Sequence, residues 1–84
     1  MISFNRIKLS NHYFVREEQD QVVLFSGITR YIHFISKESY QFLKIAETQS
    51  FNEMSENYCE DEEDKQTLSD FFEELINKEI IIAE

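Results

Sequence analysis

The sequence predicts an α+β domain: a three-stranded antiparallel β-meander, then three α-helices, then a short C-terminal extended segment. Three observations predict it. Up to Ile35 the apolar residues come in short runs that are aromatic or β-branched, as in "HYFVREE", "VVLFS" and "TRYIHFI", which suits pleated strands. From Ser36 onward they recur three and four apart, the spacing of a helix with one buried face. The change of grammar falls inside one stretch, "RYIHFISKESYQFLKIAE" from Arg30 to Glu47, so a strand must run directly into a helix there.

The chain holds one Gly and no Pro, so element boundaries rest on periodicity and caps rather than on breakers. The first strand is expected between His12 and Glu18, with "EEQDQ" as the turn after it. Val22 to Ser26 forms the second strand. Gly27 follows as the natural site of a tight hairpin turn, because glycine tolerates positive φ. Thr29 to Ile35 is the third strand; along it Tyr31 and His33 share one face while Arg30, Ile32 and Phe34 share the other. The sequence leaves open which face is core. Ser36 caps the first helix, on which Tyr40 and Leu43 recur with Phe42 and Ala46. Ser50 and Glu53 form an S-x-x-E capping box ahead of a second helix lined by Phe51, Met54 and Tyr58. The acidic "EDEED", Glu60 to Asp64, reads as a loop leading into a helix N-terminus, where negative charge suits the dipole. Leu68, Phe71, Phe72, Leu75 and Ile76 then mark the clearest amphipathic helix. Ile80 to Ala83 closes the chain as a strand or an extended tail. A meander covered on one face by three short helices is winged-helix-like.

Eighty-four residues make one domain, residues 1–84, of a size that buries roughly 60% of the surface its unfolded chain exposes. No stretch approaches the ~20 consecutive apolar residues of a membrane helix, and the N-terminus lacks a signal-peptide pattern. Cys59 is the only cysteine, which excludes an internal disulfide. The expectation is a cytoplasmic protein without a membrane partner. Net charge is −9, and it is uneven: residues 1–50 carry six basic and five acidic side chains, residues 51–84 two basic and twelve acidic. That balance disfavours nucleic acid, whose binding needs Lys and Arg to displace phosphate counterions, and leaves room for a partner with basic residues.

Catalytic chemistry is sparse. One glycine cannot build a phosphate loop, nothing local pairs Cys59 with His12 or His33, and no His or Cys spacing fits a metal site. "EDEED" lacks the alternating ligands and central Gly of a calcium loop. No enzyme, cofactor or metal is expected.

At the motif level the chain resembles the PqqD-like domains that act as precursor-peptide recognition elements in the biosynthesis of ribosomally made, post-translationally modified peptides. Arg30-Tyr31-Ile32 stands where that family has an Arg-Tyr-Tyr strand, Ile35-Ser36 at its Leu-Asn step, and Ser39, Phe42, Leu43 and Ile45 in its first helix. Ser50-Phe51-Asn52-Glu53-Met54 is similar to its Thr-Val-x-Glu-Ile opening. Phe71-Phe72-Glu73-Glu74-Leu75 is similar to its Phe-Leu-x-x-Leu pattern, with Ile80-Ile81 at its ending. The likeness spans about residues 12–83 and departs at Glu79, where the family has Gly, and at Thr48-Gln49, where it has Asp-Gly.

The resemblance implies a stand-alone adaptor that binds the leader segment of a precursor peptide as an added strand beside the third strand and against the third helix. It would present that peptide to a separate maturation enzyme, a radical SAM protein or a leader protease as in lasso peptide pathways. The peptide-binding residues so implied are Thr29, Arg30, Tyr31, Ile32, His33 and Phe34 from the strand, and Lys65, Leu68, Ser69 and Phe72 from the helix. An unprotected edge also allows an edge-paired or swapped dimer in place of a monomer. The competing expectation is a winged-helix transcriptional regulator or an acidic inhibitor that mimics the charge of DNA.

Overall fold

A computed structural model of the chain describes residues 2–84. Its elements run β1 (Ile7–Leu9), β2 (Tyr13–Glu17), β3 (Val22–Ser26), β4 (Ile32–Ile35), α1 (Lys37–Ala46), α2 (Phe51–Tyr58), α3 (Glu62–Asn77) and β5 (Ile81–Ala83). The fold is the expected α+β arrangement: β2, β3 and β4 form an antiparallel three-stranded sheet in that order, and three helices follow it. No described helix is long and apolar enough to cross a membrane.

The helix starts follow their caps. Ser36 Oγ accepts from the Ser39 amide, Asp61 Oδ1 accepts from the Asp64 amide, and Ser50 and Glu53 satisfy each other's backbone N–H groups reciprocally. The acidic run is therefore not all loop: α3 begins at Glu62, so Glu62, Glu63 and Asp64 form its first turn.

Two strand expectations need correction. The last strand of the meander begins at Ile32, not Thr29. Thr29, Arg30 and Tyr31 belong to the connection instead, because Ser26 gathers that segment around itself. The buried Ser26 Oγ accepts from the Ile28 and Thr29 amides at 3.2 and 3.0 Å, and its carbonyl accepts from the Arg30 amide at 3.1 Å. Nor does Gly27 supply a positive φ; Arg30 does, with φ 64°. Gly27 is small for another reason: a Cβ there would lie 3.0 Å from the Phe14 ring.

The segment 2–10, for which no element was expected, is integral. β1 pairs antiparallel with β5, Ile7 opposite Ala83 and Leu9 opposite Ile81. The Phe51 amide donates to the Phe4 carbonyl at 3.0 Å, and the Ile2 amide donates to Ser69 Oγ at 2.8 Å. Phe4 packs edge-on against Phe72 and Phe51, with ring centroids 5.0 and 5.7 Å away. One core joins Phe4 and Ile7 to Tyr13, Val22 and Leu24 of the sheet and to Leu43, Met54, Leu68, Phe72 and Leu75 of the helices. The N-terminal strand thus pins the C-terminus while α3 fills the space behind the meander.

Candidate functional site

The hydrogen-bond phase of the sheet decides what β4 presents. The Ser26 amide donates to the Tyr31 carbonyl at 3.0 Å, and Ser26 and Tyr31 continue the register that sets Phe25 opposite Ile32 and Leu24 opposite His33. In an antiparallel ladder, pairs that exchange bonds alternate with pairs that do not. Leu24–His33 and Val22–Ile35 are accordingly the bonded pairs. The N–H and C=O groups of Ile32 and Phe34 point away from β3, and β4 has no neighbour on that side among the described residues. The other ladder agrees, since Gly27 donates to His12 and Glu18 to Gln21, which turns the backbone groups of Phe25 and Val23 toward β2.

Side chains alternate across the same strand. His33 and Ile35 lean inward, beside the buried Leu24 and Val22, while Ile32 and Phe34 are exposed. The core face of the strand, open in the sequence, is thus the His33 side. A groove of about 480 Å³ runs between this strand and the C-terminal half of α3, lined by Ile32 to Ser36 and Ser39 on one wall and by Phe71, Glu74, Leu75 and Lys78 on the other. At its rim Lys78 Nζ lies 2.9 Å from Glu74 Oε1, an exposed pair of the kind that contributes little to stability. His33 Nε2 is buried and lacks a hydrogen-bond partner.

The structure brings Ile32, His33 and Phe34 together in this groove and leaves the four expected helix residues out of it. Ser69 and Phe72 are fully buried and Leu68 nearly so; they form the stripe that faces the core. Leu68 also borders a different hollow, with Phe42 and Tyr58. Lys65 sits near the N-terminal end of α3, 3.4 Å from Glu62. The groove is served by the neighbouring stripe, Phe71, Glu74, Leu75 and Lys78, at i, i+3, i+4 and i+7. Its one legible signal was Phe71, an extra aromatic on the flank of the apolar face. Thr29, Arg30 and Tyr31 lie beyond the strand end, and the Tyr31 carbonyl is already bonded to Ser26.

Cys59 stands at the end of α2, its thiol pKa raised by burial and further by the nearby Asp64 carboxylate, the opposite of what a nucleophile requires. No protein-family model, curated protein or solved structure matches this chain.

Proposed function

We propose that the protein is a peptide-capturing adaptor: an extended segment, the leader of a ribosomal precursor peptide, adds to the open edge of β4 and lays alternate side chains into the groove against α3. The observation that carries this reading is the pair of outward-facing residues, Ile32 and Phe34, directly beside that groove. Unpaired strand edges are completed by guest strands, and flanking pockets select the guest's sequence.

Magnitudes assign the work. Two residues offer four outward backbone groups, and each hydrogen bond contributes about 0.5–1.5 kcal/mol net. Micromolar binding needs about 8 kcal/mol after association costs. The backbone therefore supplies register, and affinity comes from two or three apolar side chains buried over Phe71 and Leu75, at about 1.5–3 kcal/mol each.

In this reading the chemistry belongs to a separate maturation enzyme, a radical SAM protein or a leader protease, in the cytoplasm. The test is an amide-shift titration of the labelled protein with a candidate leader peptide encoded beside its gene. The Ile32 and Phe34 amides should move most, together with Phe71 and Leu75. If those amides stay silent at saturation, strand addition is wrong.

A further inference from the structure

The inward face of the meander is core; its outward face is not covered by any described residue of the chain. Outward positions are Phe14 and Arg16 on β2, Val23 and Phe25 on β3, and Ile32 and Phe34 on β4, set in rows Phe14–Phe25–Ile32 and Arg16–Val23–Phe34. Phe14 and Phe25 stack with ring centroids 5.3 Å apart. Phe14, Ile32 and Phe34 are each more than half exposed, at 54%, 59% and 63%, and Phe25 is 37% exposed. With side chains of this size the uncovered apolar area is about 400 Å², in the range where a contiguous patch on a monomer tends to be functional.

Charge gives the occupant's chemistry. The chain carries 17 acidic residues, yet none of these six outward strand positions is acidic, and the one arginine among them, Arg16, is paired with Glu18 at the strand end at 3.3 Å. At the end of the Phe25–Ile32 row lies a hollow of about 370 Å³ lined by Phe25, Ser26, Gly27, Arg30 and Ile32. Arg30 forms no ion pair among the described residues. It also holds φ at 64°, a left-handed conformation that costs a non-glycine residue roughly 1–2 kcal/mol. The hydrogen bonds around Ser26 hold this turn and set Arg30 beside the hollow.

We propose that this outer face docks a partner protein segment carrying a carboxylate next to a large apolar side chain, with the apolar group in the Phe25–Ile32 hollow and the carboxylate on Arg30. A second copy of the chain fits poorly, because the carboxylate beside this face, Glu18, is already paired with Arg16 at 3.3 Å and leaves none for Arg30. The face shares Ile32 and Phe34 with the open rim of β4 but adds Phe14, Phe25 and Arg30, so shifts at those three residues separate this proposal from strand addition.

The probes are two blocked tetrapeptides, acetyl-Phe-Glu-Phe-Glu-amide and its Gln counterpart, each titrated into the isotope-labelled full chain. The acidic peptide should shift the Phe14, Phe25 and Arg30 amides and the Arg30 side-chain Nε–H, and bind about tenfold more tightly than the Gln peptide. Arg30→Gln should erase that difference, Arg30→Lys should restore part of it, and Phe25→Ser should weaken both peptides. Equal binding by the two peptides overturns the proposal. So do shifts confined to Ile32 and Phe34, and so does a concentration-dependent dimer that Phe14→Ser dissolves, which would make a second copy the occupant.

Discussion

The Ile80 amide donates to the Leu75 carbonyl at 3.0 Å across Glu79, and the Glu79 amide donates to Ile76 at 2.9 Å. These two bonds close α3 as a Schellman motif, with buried Leu75 and Ile80 as its apolar clasp. The motif requires a left-handed residue at its turn, and Glu79 occupies it with φ 60°. Glycine adopts that conformation without a Cβ penalty. Glu79→Gly is therefore expected to stabilise the protein by about 0.5–1 kcal/mol, part of the relief being offset by glycine's greater freedom when unfolded. Thermal unfolding followed by circular dichroism should show a rise of several degrees, and Glu79→Val should show a larger fall.

Proline separates the two sides of β4. The Phe34 N–H points to the open rim, so Phe34→Pro should leave the sheet folded while removing a donor from any guest strand. The His33 N–H belongs to the bonded pair with Leu24, so His33→Pro should break the ladder and lower stability by about 3 kcal/mol or more. Urea melts paired with leader titrations resolve the two effects. A Phe34→Pro variant that folds and binds normally would count against strand addition.

Phe4 is only 5% exposed and sits between Phe51 and Phe72. Truncation to alanine should cost about 3–5 kcal/mol, a large part of the total stability of a domain this size. Denaturant unfolding of Phe4→Ala gives the measurement. A loss below 1 kcal/mol would mean that the N-terminal strand is dispensable.

Ser50 anchors α2 through the reciprocal bonds with Glu53, at 3.2 and 3.1 Å. Ser50→Ala removes one of them and should cost about 1 kcal/mol. Glu53→Gln keeps the side-chain acceptor and should cost less, a ranking readable in the same urea series.

Alkaline stability follows from two groups. Burial is the main cause that raises the pKa of both Tyr13 and Cys59, with Glu79 adding to the first and Asp64 to the second. The folded state holds these protons longer than the unfolded chain does. Stability is unaffected below the ordinary values and falls as pH rises through about 9 for the thiol and 10 for the phenol. Unfolding free energies at pH 7, 9 and 10 should decline in the native chain, and Cys59→Ser and Tyr13→Phe should each flatten part of the decline. At neutral pH, Cys59 should also alkylate more slowly than a free thiol.

What the sequence determined by itself was local. Apolar spacing located α1, α2 and α3, Ser36 and the Ser50–Glu53 box marked two of their starts, and the β-branched run Val22 to Ser26 coincides with β3. Each is legible because its cause lies within a few residues. Tertiary structure decided the rest. β5 lies within the Ile80 to Ala83 segment expected as a strand or an extended tail, but its partner β1 was not expected: the two are three residues each and pair across the length of the chain, and a strand as short as β1 has no period of its own to read. The left-handed turn fell to Arg30 and Glu79 rather than to Gly27, since hydrogen bonds to Ser26 and Leu75 outweigh the propensity of a single residue. Periodicity showed that α3 has an apolar side but not which stripe meets the core, so Leu68, Ser69 and Phe72 were expected at a groove that Phe71, Leu75 and Lys78 line. Which faces remain uncovered depends on how sheet and helix cross, and only packing fixes that.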